Sequence, residues 1–323
     1  MKNKVVVANL MRDKTKQAFF ALHQIHTKML ESEMDCEPEF HILWDNEGKE
    51  EKSKWSDLID NYGFDITPYT RSYLNDYCRI AYGVSDKDIK RFDNFYNIYH
   101  ILLPHYLRRV LLKSYYLIYD DDILINTDFK DVLQLLIDEV PILIYEPFNQ
   151  NCDKVCFQRL SSSYGEKFVN IYKYRNPNLL GFNSGFEGID LVIYDDWLST
   201  DRFVSLLSLF DYSGIIGSDG NEIWGEQRTA LETQQQSFCS LMNVARSRKH
   251  PHILNEKEYY VVPNWSWGPH PVFGKINEQD GMGGWGLCLS SKISHFIGHT
   301  QGKGKPQPFL DRVDMYLKEK GYL

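Results

Sequence analysis

Short apolar runs alternate with helix-like segments through the first half of the chain. Residues 4–8, Lys-Val-Val-Val-Ala, predict a buried first strand, and residues 14–32 carry apolar side chains at helical spacing. The same alternation continues to residue 145. Further strands are predicted at 40–44, at 64–66, in a run ending at Asp120 and at 141–145, and further helices at 58–62, 94–112 and 131–137. This β-α-β order favours an α/β fold with a mainly parallel sheet flanked by helices.

The second half of the chain is less regular. Residues 255–309 are rich in Gly, Pro, Trp and His, which is typical of active-site loops. The other predicted elements are two strand segments around a turn, at 182–189 and 191–194, and three helices, at 197–210, 225–245 and 309–320. Since no repeat or linker divides the sequence, we predict one continuous domain over residues 1–309, followed by a C-terminal helix, 310–323, packed on it.

The acidic tip, Asp120 to Asp122, is the most informative feature of the sequence. An apolar, β-prone run, Tyr115 to Tyr119, ends abruptly in these three aspartates, and an apolar run resumes at Ile123. The carboxyl end of a buried strand is where open α/β sheets bind ligands. Adjacent acids repel each other and are costly to desolvate, so they are best accommodated beside a cation, and oxygen ligands suit Mg²⁺ or Mn²⁺. The alternative is an acidic turn that caps the next helix.

A histidine beside a Gly- and Lys-rich loop lies near the end of the chain. The two segments are 294–298, which contains His295, and 302–306, which contains Lys303 and Lys305. An imidazole can complete a metal site formed by two carboxylates, while lysines and glycine amides can hold phosphate oxygens. Taken alone, the segments are more simply explained as a structural or surface histidine and a solvated loop.

Residues 181–188, Gly-Phe-Asn-Ser-Gly-Phe-Glu-Gly, form a third candidate segment. Its glycines let the backbone approach a ligand closely. Asn183 and Ser184 offer hydrogen-bond donors and acceptors that suit sugar hydroxyls. The segment therefore fits a carbohydrate site, with a plain β-turn as the alternative.

Together these segments resemble the retaining glycosyltransferases of the glycogenin and lipopolysaccharide-galactosyltransferase type, which have the GT-A fold. The family carries Leu-Leu-Pro, Leu-Asp-x-Asp, Phe-Asn-Ser-Gly and His-Phe-x-Gly, then Lys-Pro. The matching blocks here are Ile101-Leu-Leu-Pro104, Tyr119-Asp-Asp-Asp122, Phe182-Asn-Ser-Gly185 and His295-Phe-Ile-Gly298, followed by Lys305-Pro306. Each block is short, but they occur in the family's order over residues 4–309. The resemblance implies a Rossmann-like GT-A sheet with a C-terminal elaboration of loops and a helix.

The resemblance also implies a metal ion and a nucleotide-sugar donor. Asp120, Asp122 and His295 are the implied ligands of Mn²⁺ or Mg²⁺, and a UDP-sugar is the implied donor. The residues implied to contact the donor are Val7, Ala8 and Asn9 beside the uracil and ribose, Asp121 beside the ribose or sugar, Asn183 and Ser184 at the sugar, and Gly298, Lys303 and Lys305 around the diphosphate.

Three residues are candidates for catalysis, namely Asp121, Asn183 and Gln235. Gln235 lies in the run 234–236, Gln-Gln-Gln, where the family has Asp-Gln-Asp before a helix. Neither amide is a good nucleophile, so front-face attack by the acceptor hydroxyl is the simpler hypothesis. The family resemblance implies transfer with retention, through an oxocarbenium-like transition state.

Composition and charge narrow the class of protein and its acceptors. Of 323 residues, 43% are hydrophobic and 25% charged, as in soluble globular proteins. The net charge of −8 disfavours broad nucleic-acid binding, although the basic run 246–249 keeps a modified nucleic-acid base among the acceptors, beside a glycan or protein hydroxyl. With six scattered cysteines, no signal peptide and no run of ~18 apolar residues, we expect a cytoplasmic protein without a membrane span.

We therefore predict a metal-dependent glycosyltransferase, a hexosyl- or pentosyltransferase that uses a nucleotide sugar. Two alternatives stay open. A nucleotidyltransferase that forms nucleotide sugars would usually carry a Gly-rich basic loop after the first strand, whereas residues 8–13, Ala-Asn-Leu-Met-Arg-Asp, contain no glycine. A carbohydrate-binding protein with an inactive inherited site would have no need of the intact Asp120, Asp122 and His295.

Overall fold

The computed structural model describes residues 3–45, 53–93, 98–126, 129–145, 150–178, 182–199, 201–203, 238–254, 258–262, 292–296 and 307–323. Its strands are β1 (Asn3–Met11), β2 (Cys36–Trp44), β3 (Ile66–Thr70), β4 (Tyr115–Tyr119), β5 (Ile123–Ile125), β6 (Ile142–Tyr145), β7 (Phe182–Asp190), β8 (His252–Leu254), β9 (Tyr259–Val262) and β10 (Ile293–Phe296). Within these residues they form a seven-stranded sheet, β3-β2-β1-β4-β7-β6-β8, and a three-stranded sheet, β5-β10-β9.

The large sheet is mainly parallel. Among the described strands, β7 runs antiparallel to both of its neighbours, β4 and β6, while the other pairings in this sheet are parallel. The predicted α/β fold with a mainly parallel, Rossmann-like sheet is therefore confirmed. The antiparallel insertion of β7 between β4 and β6 has no counterpart in the sequence prediction.

Helices cover both faces of the large sheet. The helices are α1 (Lys16–Glu31), α2 (Lys54–Asn61), α3 (Arg71–Tyr82), α4 (Asp86–Asp93), α5 (Tyr99–Arg109), α6 (Lys130–Ile137), α7 (Gln150–Arg175) and the C-terminal helix (Gln307–Glu319), with residues 238–246 also helical. One core layer contains residues of α1, α6 and the C-terminal helix, and the other contains residues of α3, α5, α7 and 238–246.

The apolar run of β1 is unbroken because the strand is covered on both faces. Val5 and Val7 belong to one core layer, whereas Val6 and Ala8 belong to the other, and all four are buried. A strand covered on both faces needs apolar side chains at every position, which is the pattern of central parallel strands. β1 is therefore an interior strand of the sheet, between β2 and β4.

The C-terminal helix packs against α1. Phe309, Val313 and Leu317 recur at intervals of four residues and are fully buried in the core layer of α1. The Phe309 ring lies edge-on to that of Phe20, with centroids 6.1 Å apart. No described helix is long and apolar enough to cross a membrane.

Several predicted boundaries are wrong. The predicted strand at 191–194 is part of a 3₁₀ helix, Leu191–Trp197, because the Asp190 carboxylate accepts a hydrogen bond from Val192 N–H (3.2 Å) and caps its first turn. The third strand occupies Ile66–Thr70 instead of 64–66, since its register with β2 begins at Ile66. Strands β9 and β10 lie within the predicted loops of 255–309.

Some elements were not predicted at all, and some predictions fall outside the described residues. Helices α3, α4 and α7 have no predicted counterpart. The predicted helices at 197–210 and 225–245 lie mostly outside the described residues, within which 201–203 and 238–246 are helical.

Candidate active site

The acidic tip lies where the order of the large sheet reverses. From β1 the chain builds β2 and β3 on one side, and β4 pairs with the other side of β1. Open α/β sheets bind ligands outside the carboxyl ends of their strands at such a point. All five residues of β4 are buried, and the strand ends at Tyr119, directly before the acidic tip. Topology therefore places the three aspartates at the expected edge, which we call the carboxyl edge.

The three aspartates differ in exposure. Asp120 and Asp121 are partly exposed, whereas Asp122 is buried, with 4% of its surface accessible. Asp121 and Asp122 form a turn, after which the chain enters β5 at Ile123. A buried carboxylate is costly to desolvate unless charge or hydrogen bonds compensate it. This environment suits a site that takes up positive charge.

The Phe-Asn-Ser-Gly block lies beside the acidic tip. Tyr119 pairs with Phe186 in the antiparallel ladder of β4 and β7, and the next backbone group, Asp120 N–H, donates to the Gly185 carbonyl oxygen (2.8 Å). Asn183 and Ser184 lie in the same strand, where Asn183 pairs with Ile144 of β6. Their backbone is described but their side chains are not, so their contacts with a sugar stay a prediction.

The histidine block lies on the other side of the acidic tip. In the small sheet, His295 of β10 is the register partner of Ile123, the residue that follows Asp122. Neighbouring strands are about 4.8 Å apart, so the fold brings two segments that are distant in sequence to one place. Among the described side chains no group of three His, Cys, Asp or Glu residues could hold a metal ion, and the side chain of His295 is not among them. Metal ligation stays a prediction.

The residues predicted to border the nucleotide are buried. Val7 and Ala8 are 0% and 1% exposed and lie in opposite core layers. Asn9 is 1% exposed, and its Nδ2 donates to the carbonyl oxygen of Tyr119. Asn9 therefore ties β1 to the end of β4, a contact that the sequence does not reveal. Nucleotide contact by these three residues stays a prediction.

Helix α1 supplies two further contacts that sequence reasoning missed. Tyr119 Oη donates to the Ala21 carbonyl oxygen (2.7 Å), and the side-chain amide of Gln24 bonds to the backbone of β5. The one sequence signal for Gln24 is a polar residue next to the apolar positions Phe20, Ala21 and Ile25.

The Leu-Leu-Pro block belongs to the core. Leu102 and Leu103 are fully buried in α5, and Pro104 lies inside that helix. Their role is to pack α5 against the sheet. Four other predicted site residues lie outside the described residues, namely Gln235, Gly298, Lys303 and Lys305.

The helical residues 238–246 are fastened along β7. Ser240 Oγ donates to the buried Glu187 carboxylate, and Asn243 Oδ1 accepts a hydrogen bond from Asp190 N–H (2.9 Å). Ser240 bonds to Glu187, which is nearer to Gly185 along β7 than Asp190, the partner of Asn243. This helical stretch therefore begins, at Phe238, on the side of the carboxyl edge.

Comparison with known proteins finds no matching protein-family model and no matching curated protein. Among solved structures, the chain is similar to the bifunctional glycosyltransferase WbbM, with 11% identity and a TM-score of 0.49, covering 99% of this chain and about half (52%) of WbbM. It is also similar to the galactosyltransferase LgtC bound to donor and acceptor sugar analogues (14% identity, TM-score 0.43, covering 98% of this chain and 100% of LgtC). Mouse xyloside xylosyltransferase 1 matches with 11% identity and a TM-score of 0.45, covering 90% of this chain and 97% of that one.

These three proteins are glycosyltransferases, the class that the sequence blocks resemble. At such identities and TM-scores the matches assign no activity to this chain by themselves. The residues that the fold brings together at the carboxyl edge therefore have to indicate the function.

Proposed function

We propose that the protein is a metal-dependent glycosyltransferase that moves a sugar from a nucleotide sugar, a UDP-sugar, to a hydroxyl acceptor with retention. One observation carries the proposal. Two backbone pairings bring three separate motif blocks together, because Asp120 bonds to Gly185 and Ile123 pairs with His295. The edge where they meet lies at a topological switch point, where open α/β sheets bind their ligands.

The donor set at this edge fits a divalent ion. Asp120 and Asp122 offer hard oxygen ligands, His295 offers a nitrogen ligand, and the burial of Asp122 favours a compensating positive charge. A bound Mn²⁺ or Mg²⁺ would neutralise the charge that develops on a departing diphosphate. Lys303 and Lys305 are proposed to hold the same diphosphate oxygens, together with the Gly298 amide.

The remaining residues would bind and orient the donor and acceptor. Asp121 is proposed to accept hydrogen bonds from the ribose or the sugar, and Asn183 and Ser184 to hold the sugar hydroxyls. In front-face transfer the bond from the anomeric carbon to the diphosphate breaks while the acceptor oxygen bonds to the same face of that carbon. The acceptor proton then passes to the departing diphosphate oxygen. Gln235 is proposed to stabilise the positive charge on the sugar from the opposite face.

A glycan or protein hydroxyl is the favoured acceptor. The basic run 246–249 gives little support to a nucleic-acid base, because its cations are engaged elsewhere. Arg246 pairs with Asp196, and Arg248 pairs with the buried Asp190. Arg248 also donates to the carbonyl oxygen of Ser114, which precedes β4 at the end opposite the acidic tip. The five residues of β4 separate the two ends by roughly 16 Å.

A thermal-shift screen of nucleotide sugars with and without Mn²⁺ tests the proposal. A ligand that binds the folded state raises the melting temperature, so the correct donor should do so only when Mn²⁺ is present. The same screen with Asp122→Asn should show no joint effect. Release of pyrophosphate from a nucleoside triphosphate and a sugar phosphate would instead identify a nucleotidyltransferase. Glycan binding without turnover of any nucleotide sugar would identify a carbohydrate-binding protein.

A further inference from the structure

The buried amide of Gln24 replaces a neighbouring strand for β5. Gln24 is 3% exposed in α1, its Nε2 donates to the Ile123 carbonyl oxygen (2.6 Å), and its Oε1 accepts a hydrogen bond from Ile125 N–H (3.1 Å). One side chain thus provides both the donor and the acceptor that the peptide groups of an adjacent strand would provide. Both partners are backbone groups that have to be satisfied because they are buried.

Gln24 bonds to the edge of β5 that faces away from β10. Backbone groups of successive residues in a strand point to opposite edges. Asn126 N–H donates to the Lys292 carbonyl oxygen, in the segment that leads into β10. The groups of Ile123 and Ile125 therefore point the other way, toward Gln24. Strand β5 has only three residues, so these two bonds are a large part of what fixes its position.

Helix α1 holds the acidic tip at both ends. Before the tip, Tyr119 Oη donates to the Ala21 carbonyl oxygen, and after the tip, Gln24 bonds to Ile123. Ala21 and Gln24 are three residues apart, so they are neighbours on one face of the helix. One turn of α1 therefore sets the distance between the strand that enters the tip and the strand that leaves it.

We propose that Gln24 is a positioning residue of the candidate active site. It acts through Ile123, which is bonded to Asp122 on one side and pairs with His295 across the small sheet. This role in metal binding rests on the proposed function, whereas its effect on the position of β5 does not. Removing a group that orients metal ligands without touching the metal typically weakens metal binding roughly 10- to 100-fold. We expect a loss of Mn²⁺ affinity of this size.

The test compares Gln24→Met with a matched control, Asn243→Leu. Met keeps the length of Gln24 but can form neither hydrogen bond. Asn243 is also a buried amide with one accepted and one donated bond, from Asp190 N–H and to the Cys239 carbonyl oxygen (both 2.9 Å), at the opposite end of the sheet. Both variants therefore lose stability for the same physical reason. If Gln24→Met does not fold, Gln24→Asn is the milder variant, because it stays a neutral amide but is too short to keep both bonds in place.

Two measurements separate positioning from stability. The first is hydrogen exchange of the peptides that cover 120–126 and 292–296, without any ligand. The second is calorimetric titration of Mn²⁺ in the presence of saturating UDP. We expect Gln24→Met to lose exchange protection in both peptides and to bind Mn²⁺ roughly 10- to 100-fold more weakly, while Asn243→Leu keeps wild-type values in both.

Each outcome has a distinct meaning. If Gln24→Met binds Mn²⁺ as tightly as the unaltered protein and is merely less stable, Gln24 has no positioning role and the inference is wrong. If the unaltered protein binds no Mn²⁺ with UDP, the proposed function is wrong. In that case hydrogen exchange still decides the structural part, because unchanged protection of 120–126 in Gln24→Met overturns it as well.

Discussion

The two ends of the large sheet use polar side chains in different ways. At the amino edge, where β1 and β4 begin, charged side chains pair with each other. Lys113 Nζ lies 2.7 Å from the Glu39 carboxylate, and Arg248 contacts both Asp190 and Glu139 at 3.0 Å. The carboxyl edge also has an ion pair, between Asp45 after β2 and Arg71 after β3. Around the acidic tip, however, the described side chains of Asn9, Tyr119 and Gln24 bond to backbone carbonyl and amide groups.

We interpret the amino edge as a source of stability and the carboxyl edge as the place of the proposed function. Ion pairs at the amino edge neutralise each other's charge and fasten segments of the chain together. Bonds to backbone around the acidic tip fix the position of the chain on both sides of it. A cavity of about 350 Å³ lies at the amino edge, lined in part by Lys113, Glu39 and Glu139. Cavities are the usual first candidates for binding sites, but these lining charges are already paired or half-exposed.

The strongest test of this comparison is Asp122→Asn. The substitution keeps the shape of the buried side chain but removes its charge, so metal-dependent sugar transfer should fall roughly a thousand-fold or more. Circular dichroism should show an unchanged fold. Asp131→Asn is the control, because Asp131 is an exposed aspartate of α6 that pairs with Lys292 (3.0 Å). Full activity in Asp122→Asn would show that the carboxyl edge takes no part in the mechanism.

The converse test lies at the amino edge, with Asp190→Asn. The Asp190 side chain is fully buried and accepts hydrogen bonds from Arg248 Nε and Arg248 N–H (2.8–3.1 Å). Breaking a pair in which both charges are buried costs about 3–5 kcal/mol. The Arg248 side chain is half-exposed and can be hydrated, so we expect Asp190→Asn to lower the free energy of unfolding by about 2 kcal/mol. The kcat of sugar transfer should not change.

Asp195→Asn provides the matched control for Asp190→Asn. Asp195 also pairs with an arginine, Arg108, at 2.6 Å, but 38% of its side chain is exposed. Exposed pairs contribute about 1 kcal/mol or less, so urea unfolding should detect little change. If Asp190→Asn instead abolished transfer at full stability, the division between the two edges would be wrong.

Sequence reasoning found the elements whose pattern is strong and local. β1 and α1 were predicted because an unbroken apolar run and a regular helical spacing are visible without tertiary knowledge. Helix α3 was missed because polar and aromatic residues are mixed along it, and only Leu74, Asn75, Cys78 and Tyr82 are buried. Among the described side chains of helix α4, residues 86–90, only Ile89 is buried. Strand order, and above all the antiparallel insertion of β7, depends on pairings that no local pattern encodes.

The charged residues of the candidate site could be predicted from the sequence, but the side chains that hold the chain in place around them could not. Three adjacent aspartates after an apolar strand are conspicuous because their repulsion demands an explanation. The bond from Asn9 to Tyr119 joins residues 110 positions apart, and that from Gln24 to Ile123 joins residues 99 apart. Neither amide carries a local signal of its partner, so roles that depend on such contacts emerge only from the fold.

The Lys113–Glu39 pair and helix α1 should differ in how their contributions to stability depend on pH. At the amino edge, burial would raise the pKa of Glu39, but the hydrogen bond and charge of Lys113 outweigh it, so the pKa is lowered. A carboxylate with a lowered pKa contributes stability above its unfolded value, about 4.3, and loses it as the pH falls further. Between pH 7 and pH 5 the Lys113–Glu39 pair should therefore contribute almost constantly.

Helix α1, which holds the acidic tip, should respond at higher pH through His23. Its ring nitrogens lie 2.8 Å from Tyr316 Oη and 3.0 Å from Tyr62 Oη, and burial, followed by the charge of Lys320, lowers its pKa to about 4. The unfolded state binds the proton more readily, so this contribution is complete above about pH 6.5 and is lost toward pH 4. From pH 7 to pH 5, His23→Gln should lose roughly 1–2 kcal/mol less than the unaltered protein in urea unfolding. Equal losses in both proteins would show that acid acts on groups other than this histidine.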